Sequence, residues 1–226
     1  MKRIFILLLC LCVMLIPVRA ATSEKLVALT FDDGPSGRYT RKLLEGLEER
    51  NAKATFFLCG YRMEQDRSLT QRIFQEGHEI GLHGYSHKPM QNMCQPDVLQ
   101  ELKKSVSLLP EGCEAVFLRC PGGTCSRCTC QAAAALGLSL AYWSVDPRDW
   151  ATDNADAIEK EVLNHVQDGD IILMHDMSGS SVEAALMIVD ELLEEGFRFV
   201  TVSQLAAHKG ITPVPGTIYP RFSQKN

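Results

Sequence analysis

Short apolar runs alternate with amphipathic segments along most of the chain, and this alternation limits the fold more than any other feature. The seven runs cover residues 26–29, 53–59, 78–83, 115–119, 138–145, 170–176 and 197–201. The segments between them carry apolar residues at helical spacing, and the connectors are short. Such alternation is typical of parallel strands covered by helices. We predict an α/β fold with about seven parallel strands in a closed or nearly closed barrel; an open doubly wound sheet is the alternative.

The length and composition fit one globular domain behind an export signal. The chain has 226 residues, of which 46% are hydrophobic and 23% charged, enough for one well-buried core. Residues 1–20 combine a basic start, an uncharged apolar stretch and small residues before a cleavage point after Ala20. This pattern predicts a signal peptide, with an uncleaved N-terminal anchor as the alternative. We expect one domain over 21–210 and a loosely ordered tail over 211–226.

The charge of the chain limits its partners. Cleavage after Ala20 removes Lys2, Arg3 and Arg19 and no acidic residue, so the formal net charge moves from −5 to −8. An acidic protein has no general attraction to nucleic acid or anionic lipid, and we predict neither as a partner. We expect the mature protein to be a monomer that is secreted or associated with the cell surface or cell wall. No stable membrane partner is expected once the signal is removed.

Seven cysteines follow residue 20. Cys59 lies in an apolar run and is predicted to be an inert buried thiol. An exported chain meets oxidising conditions, which favour disulfides. The other six can pair in fifteen ways, among which the sequence does not choose: Cys94, Cys113, Cys120, Cys125, Cys128 and Cys130. A disulfide-stapled loop is predicted around Cys125, Cys128 and Cys130, with a second metal or redox site there as the alternative.

Polar residues collect at one place in the predicted fold, at or just past the C-terminal ends of five strands. In barrels and in open parallel sheets alike, this edge is where active sites form. We therefore expect these side chains to meet. They are Asp32, Asp33, His83, His87, Arg119, Asp146, Asp149 and His175.

Two of these strand ends predict a metal site. His83 and His87 are four residues apart, so one helical turn directs both rings to the same side. Asp32 and Asp33 follow a buried strand, and adjacent carboxylates repel unless a cation or a proton separates them. One carboxylate with two imidazoles leaves coordination positions open for water and substrate. We predict one divalent ion, Zn²⁺ first, with Co²⁺, Mn²⁺ or Ni²⁺ as alternatives; the other interpretation is two polar histidines in a turn.

An open metal site favours metal-assisted hydrolysis. A free carboxylate then accepts a proton from the attacking water, and a second group protonates the leaving group. His175 ends a strand and is the candidate acid. It needs an acidic neighbour to stay protonated near neutral pH, and either Asp146 or Asp149 can provide it.

Residues after the fourth and fifth strands complete the expected site. Arg119 ends an apolar strand, so its guanidinium needs a carboxylate partner, which the Asp32–Asp33 pair can supply. The backbone of Gly122–Gly123 can bring an N–H close to a developing oxyanion. Trp150 is a candidate pocket wall or, more simply, part of the core.

Five motifs occur in order over roughly residues 26–207, and together they resemble the NodB-type polysaccharide deacetylases, carbohydrate esterase family 4. The resemblance implies a distorted (β/α) barrel and metal-dependent removal of N-acetyl or O-acetyl groups from a polysaccharide. The motifs are Thr30-Phe31-Asp32-Asp33-Gly34-Pro35, His83-x-x-x-His87, Arg119-x-Pro121, Asp146-x-x-Asp149-Trp150 and Leu173-Met174-His175-Asp176.

The resemblance also implies roles for single residues. Asp32 resembles the catalytic base, and Arg119 the residue that orients it. His175 resembles the general acid, and Asp146 the carboxylate that supports it. Gly122 stands where the family commonly has an aromatic residue. The implied metal ligands are Asp33, His83 and His87, and the implied substrate-binding residues are Pro121, Gly122, Asp149, Trp150 and Leu173.

These features predict an exported metal-dependent hydrolase that removes N-acetyl groups from amino sugars of peptidoglycan or a chitin-like polymer. The N-acetylated polysaccharide is its expected partner. Gly122 and the cysteine-rich segment after it lie outside the family pattern, and they motivate an alternative: a carbohydrate-binding protein of the same fold with little or no turnover. An O-acetyl esterase acting on xylan is a further alternative.

Overall fold

The computed structural model describes residues 24–223, so the predicted signal peptide lies outside the described residues. Within this range eight strands alternate with eight helices. The strands are β1 (Lys25–Asp32), β2 (Ala54–Leu58), β3 (Glu79–Leu82), β4 (Phe117–Leu118), β5 (Ser139–Ala141), β6 (Ile171–His175), β7 (Phe197–Phe199) and β8 (Ile218–Tyr219). The helices are α1 (Arg38–Glu49), α2 (Gly60–Gln65), α3 (Arg67–Gln75), α4 (Gln95–Val106), α5 (Arg127–Ala135), α6 (Ala155–Leu163), α7 (Gly179–Glu194) and α8 (Val202–His208).

The strands form one parallel sheet that curls almost into a ring. Its order is β6-β1-β2-β3-β4-β5-β8, and β7 pairs with the first residues of β1. An isolated parallel bridge from Val145 to Ile172 joins the chain after β5 to β6. A second isolated bridge, from Asp170 to Arg221, joins the chain after β8 to the start of β6, so the ring is nearly closed. This architecture confirms the prediction of a distorted (β/α) barrel.

Burial on both faces explains the continuous apolar runs. Seven of the eight residues of β1 and all five of β2 are buried, as expected for strands that helices cover on one side and the barrel interior fills on the other. Phe31 and Phe56 stack between them with ring centroids 5.3 Å apart. No helix within residues 24–223 is long and apolar enough to cross a lipid bilayer.

Residues 218–222 of the predicted tail pack against the barrel. β8 pairs in parallel with β5, and the Phe222 side chain is fully buried against Phe117. The Phe222 N–H also donates to the carbonyl of Gly169 at 2.9 Å. A strand of two residues has no hydrophobic period, so the sequence pattern does not reveal it. The domain limits of 21 and 210 stay a prediction.

Candidate active site

The three predicted metal ligands lie together at the carboxyl edge of the barrel. Asp33 follows β1, while His83 and His87 follow β3, and their ligand atoms lie within 4.8 Å of one another. Asp33 Oδ1 is 3.3 Å from Nε2 of His83 and 2.9 Å from Nε2 of His87. Among residues 24–223 this is the one group of three or more His, Cys, Asp or Glu side chains that meets this distance.

The backbone turns sharply at two of these residues. Asp33 has φ of 75° and His87 has φ of 59°, in the left-handed region that Asp and His enter more readily than most residues. Side chains on a strand point alternately to opposite faces, so Asp32 and Asp33 can face one site only where the strand ends between them. Such a conformation costs roughly 1–3 kcal/mol, and surrounding contacts must hold it in place.

A buried carboxylate lies beneath the turn that follows Asp33. Asp176 is fully buried, and its Oδ2 accepts a hydrogen bond from the Thr40 hydroxyl. A Cβ at Gly34 would lie 2.7 Å from Asp176 Oδ1, which explains why this turn needs glycine. Burial raises the pKa of Asp176 to about 6. The residue after His175 thus packs directly under the Asp32–Asp33 strand end.

The donor set fits a divalent cation. Asp33 Oδ1 is buried, and no donor approaches it with hydrogen-bond geometry. His83 Nδ1 lies 2.8 Å from the carbonyl of Arg119, which places the proton on Nδ1 and leaves Nε2 as the free lone pair. Burial disfavours the charge of Asp33, but the His83 and His87 rings outweigh burial and hold its pKa well below the ordinary value. An ionised carboxylate with imidazole lone pairs is what a divalent metal ion binds.

Asp32 and Arg119 form a buried ion pair beside this group. Arg119 is fully buried, and its Nη1 donates to Asp32 Oδ1 and to Thr30 Oγ1, each at 2.7 Å. Its Nε and Nη2 donate to the carbonyls of Ala141 and Tyr142 at 3.0 and 2.9 Å. Burial lowers the pKa of Arg119, and Asp32 opposes that shift. The guanidinium is held on all sides, so it holds Asp32 in one orientation at the floor of the site.

His175 pairs with Asp149 on the other side of the site. His175 Nδ1 lies 2.8 Å from Asp149 Oδ1, and the His175 backbone N–H donates to Asp149 Oδ2 at 2.8 Å. Burial opposes the charged form of His175, but the bond to Asp149 and the nearby carboxylates outweigh it and raise the pKa of His175 to about 9. His175 therefore carries a proton near neutral pH.

This pairing corrects the prediction that Asp146 supports His175. Asp146 is exposed, and its Oδ1 accepts from the Arg148 N–H at 2.9 Å. Arg148 has φ of 54° and precedes a 3-10 turn, Asp149–Ala151. That left-handed residue turns the chain so that Asp149, which is 2% exposed, points inward to β6. Asp149 thus supports the acid, and Asp146 lines the cavity above it.

A cavity of about 380 Å³ joins these groups. Of the predicted substrate-binding residues, Gly122, Trp150 and Leu173 line it, whereas Pro121 is buried away from it. Trp150 is 63% exposed, so it is a rim residue and not part of the core. The lining residues are Asp32, Asp33, His83, His87, Gly122, Gly123, Trp143, Asp146, Trp150, Leu173 and His175.

Trp143 also lines the cavity, although it is not among the predicted site residues. Its ring packs so closely on Gly123 that a Cβ there would lie 2.6 Å from Trp143 Cη2, and it stacks on Tyr142 at 5.7 Å. A Cβ at Gly122, by contrast, would meet nothing within 4 Å. The aromatic wall absent at Gly122 is therefore partly replaced by Trp143, which follows β5. An aromatic residue near the end of the predicted strand 138–145, three positions before Asp146, was the available signal.

The cysteines form a disulfide next to the site. Cys120 and Cys125 are bonded, which staples the loop carrying Gly122 and Gly123. Of the three cysteines in the predicted stapled loop, Cys125 alone is bonded. Cys128 and Cys130 are free and lie in the first turn of α5. Because Cys125 is bonded to Cys120, it does not join them as a metal ligand. Cys59 is buried and free, as predicted, and burial raises the pKa of its thiol.

The chain matches the family described as polysaccharide deacetylase over residues 19–141. It is 35% identical over 193 residues to a peptidoglycan-N-acetylglucosamine deacetylase of Bacillus cereus, covering 83% of this chain and 91% of that protein. It is 32% identical over 185 residues to the peptidoglycan-N-acetylmuramic acid deacetylase PdaC of Bacillus subtilis, covering 81% of this chain and 39% of that longer protein.

A solved structure shares the fold. The family 4 acetyl xylan esterase from Clostridium thermocellum, in complex with a cobalt ion, superposes with a TM-score of 0.81 at 31% identity. The match covers 87% of this chain and 98% of that one. The proteins that this chain resembles are therefore named for the deacetylation of peptidoglycan amino sugars and for the hydrolysis of acetyl xylan.

Proposed function

The chain belongs to the polysaccharide deacetylase family, and on that premise we propose that it is an exported, metal-dependent N-deacetylase of peptidoglycan amino sugars. Family membership makes it a hydrolase of acetylated polysaccharides. Two relatives with at least 32% identity over more than four-fifths of this chain are named for peptidoglycan. Their names favour the amide of an N-acetyl sugar over the ester of acetylated xylan.

One observation carries the proposal: a base and an acid lie on paired strands and face the same cavity as the metal-ligand group. Asp32 and His175 are register partners on the paired strands β1 and β6. Each has a partner of opposite charge within hydrogen-bond distance, Arg119 for Asp32 and Asp149 for His175. Amide hydrolysis needs both functions, because water must lose a proton and the leaving amine must gain one.

The chain's own residues handle the protons. Asp33, His83 and His87 would hold the ion, which when bound supplies a Lewis acid for the acetyl carbonyl and an acidified water; two imidazoles and a carboxylate favour Zn²⁺. Asp32, held in place by Arg119, accepts the proton of the attacking water. His175, protonated at neutral pH, gives its proton to the amine that leaves.

The walls of the cavity suit an acetylated sugar. Leu173 is 5% exposed at the cavity wall, where it offers an apolar surface to an acetyl methyl group. Trp150 presents an exposed ring at the rim, suited to the apolar face of a sugar. The open space at Gly122 leaves room beside these walls for a chain that continues past the reacting sugar.

Acetate release tests the proposal. The protein without residues 1–20 is stripped of metal with a chelator and resupplied with Zn²⁺ or Co²⁺. It is then incubated with peptidoglycan, with N-acetylglucosamine oligomers and with acetylated xylan. We expect metal-dependent acetate from peptidoglycan and the amino-sugar oligomers, with the metal-free protein inactive.

Three other results would contradict the proposal. Acetate from xylan alone would make the protein an O-acetyl esterase. Binding of peptidoglycan without acetate from any substrate, by protein that holds metal, would support the carbohydrate-binding alternative. Equal rates with and without metal would exclude the proposed role of Asp33, His83 and His87.

Export has its own test. It rests on the basic and apolar pattern of residues 1–20. The full-length chain expressed in a bacterial host is expected to yield a mature protein that begins at residue 21 outside the cytoplasm. Full-length protein retained in the membrane would indicate the uncleaved anchor instead.

A further inference from the structure

The two histidine ligands are held in different ways. His83 is 2% exposed, and its ring is fixed through Nδ1 by the carbonyl of Arg119. The His87 side chain is 42% exposed. Its ring contacts Asp33 through Nε2, and its Nδ1 makes no hydrogen bond within residues 24–223. The position of the His87 ring therefore depends on the backbone that carries it.

That backbone is an irregular loop, residues 83–87, which we name the ligand loop. Gly84 has φ of 73° and His87 has φ of 59°, so the loop contains two left-handed residues within four positions. Such a segment has little preference for one conformation on its own. Contacts from neighbouring helices must define it.

Glu101 of α4 supplies contacts on one side of the ligand loop. Its Oε2 accepts three hydrogen bonds, from the backbone N–H of Tyr85 at 3.0 Å, from the backbone N–H of Ser86 at 2.8 Å and from the Ser86 hydroxyl at 2.9 Å. A carboxylate that accepts backbone N–H groups makes charge-assisted bonds, which are stronger than neutral ones. One side chain thus fixes the two consecutive peptide groups that end at Ser86, the residue before His87.

The first turn of α2 holds the other side of the ligand loop. The N–H groups of Gly60 and Tyr61 donate to the carbonyls of Gly84 and Tyr85 at 2.9 and 3.0 Å. A Cβ at Gly60 would lie 2.6 Å from Tyr85 Cδ2, so this contact is tight. The ligand loop is therefore clamped between donors from α2 and the acceptor Glu101.

We propose that Glu101 is a positioning residue of the metal site: its carboxylate holds the ligand loop in the conformation that brings His87 to Asp33. This inference rests on the metal site proposed above. Glu101 does not line the cavity, so it acts on the site only through the ligand loop. Residues that orient metal ligands typically change metal affinity by roughly 10–100-fold when they are lost.

The test measures metal affinity directly. Zn²⁺ binding to chelator-treated protein is followed by calorimetry for the wild type, Glu101→Gln, Glu101→Ala and Ser86→Ala. Glu101→Ala leaves two backbone N–H groups without their acceptor, and we expect its Zn²⁺ dissociation constant to rise by roughly 10–100-fold. Glu101→Gln keeps an acceptor oxygen and loses the charge, so a smaller rise is expected. Ser86→Ala removes one bond of three and should have the smallest effect.

A matched control separates this effect from a general loss of charge. Glu111 is exposed just past α4 and has no hydrogen bond or ion pair among the described residues. Glu111→Ala and Glu111→Gln are expected to bind Zn²⁺ with the wild-type constant. The visible absorption of the Co²⁺-loaded protein gives a second measurement, and we expect it to change in Glu101→Ala and not in Glu111→Ala.

The outcomes are distinct. If the Glu101 variants bind Zn²⁺ as tightly as the wild type and keep its Co²⁺ spectrum, the inference is overturned. A lower melting temperature of the metal-free Glu101→Ala variant with an unchanged Zn²⁺ constant also overturns it, because Glu101 is then only structural. Failure of the wild type itself to bind Zn²⁺ would instead contradict the metal site and the proposed function.

Discussion

Two carboxylate–cation pairs flank the cavity, and they differ in which member, the cation or the carboxylate, faces the cavity. Asp32 lies 2.7 Å from Arg119, and Asp149 lies 2.8 Å from His175. In the first pair the cation is fully buried and the carboxylate lines the cavity. In the second pair the carboxylate is fully buried and the imidazole lines the cavity.

The difference explains how the same interaction serves opposite tasks. Arg119 holds the Asp32 carboxylate, which can accept a proton, at the cavity through a charge-assisted hydrogen bond. Asp149 stabilises the protonated form of His175, whose pKa is raised to about 9, and this form can donate a proton. In each pair the member that lines the cavity carries the function, and the buried partner holds it in place.

The largest effect on activity is expected when the proton acceptor, Asp32, is replaced by an uncharged residue. Asp32→Asn keeps the shape and an oxygen that can accept from Arg119, but it cannot take a proton from water. We expect kcat to fall by roughly 10²–10⁴-fold, the usual contribution of a general base. Acetate release under saturating substrate measures it.

Metal affinity is the control for Asp32→Asn. Asp33, His83 and His87 are unchanged in this variant, so Zn²⁺ binding by calorimetry should match the wild type. A variant that retains most of its kcat, or one that is inactive only because it no longer binds metal, would refute the assignment of Asp32 as the base.

Removing the buried cation should damage the fold itself. Arg119→Met leaves the Asp32 carboxylate buried without its partner, and breaking such a pair typically costs about 3–5 kcal/mol. Urea denaturation of the metal-free protein measures the loss. The control is Arg198→Met, which breaks an ion pair of the same 2.7 Å length to Glu24 at the surface, where both side chains are about half exposed; a loss below about 1 kcal/mol is expected there.

The acid side should respond through its pH dependence. Asp149→Asn removes the charge that keeps His175 protonated, so the pKa of His175 should fall toward the ordinary value of about 6.5. A fall from about 9 to that value reduces the protonated fraction at pH 8 by roughly 30-fold. In the wild type, kcat/KM should fall above about pH 9, because His175 must be protonated. In Asp149→Asn this alkaline limb should move to lower pH.

Asp146→Asn is the matched variant for this test. Asp146 is exposed and bonded to the Arg148 N–H, and it has no hydrogen bond to His175. Its alkaline limb should therefore stay with that of the wild type. If the limb moves in Asp146→Asn and not in Asp149→Asn, the comparison of the two pairs fails.

The sequence predicted much of this site because parallel strands place their carboxyl ends at one edge. Strand ends are visible as apolar runs followed by polar residues, so strand direction alone groups Asp33, His83 and His87. The same logic places Arg119 beside Asp32. These predictions depend on the order and direction of the strands and on no interatomic distance.

The parts that were missed depend on backbone geometry and on contacts between distant segments. The choice of Asp149 over Asp146 follows from the left-handed Arg148, and the sign of φ is not visible in residue spacing. Glu101 lies in a helix that follows the ligand loop, and its role arises from tertiary contact alone. β8 is too short to show a period.

The smallest effect tests whether the two pairs are independent. Thr30 Oγ1 accepts from Arg119 Nη1 and donates to the carbonyl of Ile172 at 2.6 Å. The Asp32–Arg119 pair is therefore supported by several strands. The His175–Asp149 pair needs no third residue, because the second hydrogen bond to Asp149 comes from the His175 backbone. Thr30→Val keeps the volume and removes both hydroxyl bonds, which should cost about 1–3 kcal/mol in the free energy of unfolding. The alkaline limb near pH 9 should not move; if it does, Thr30 couples the pairs, and their protonation states are not set separately.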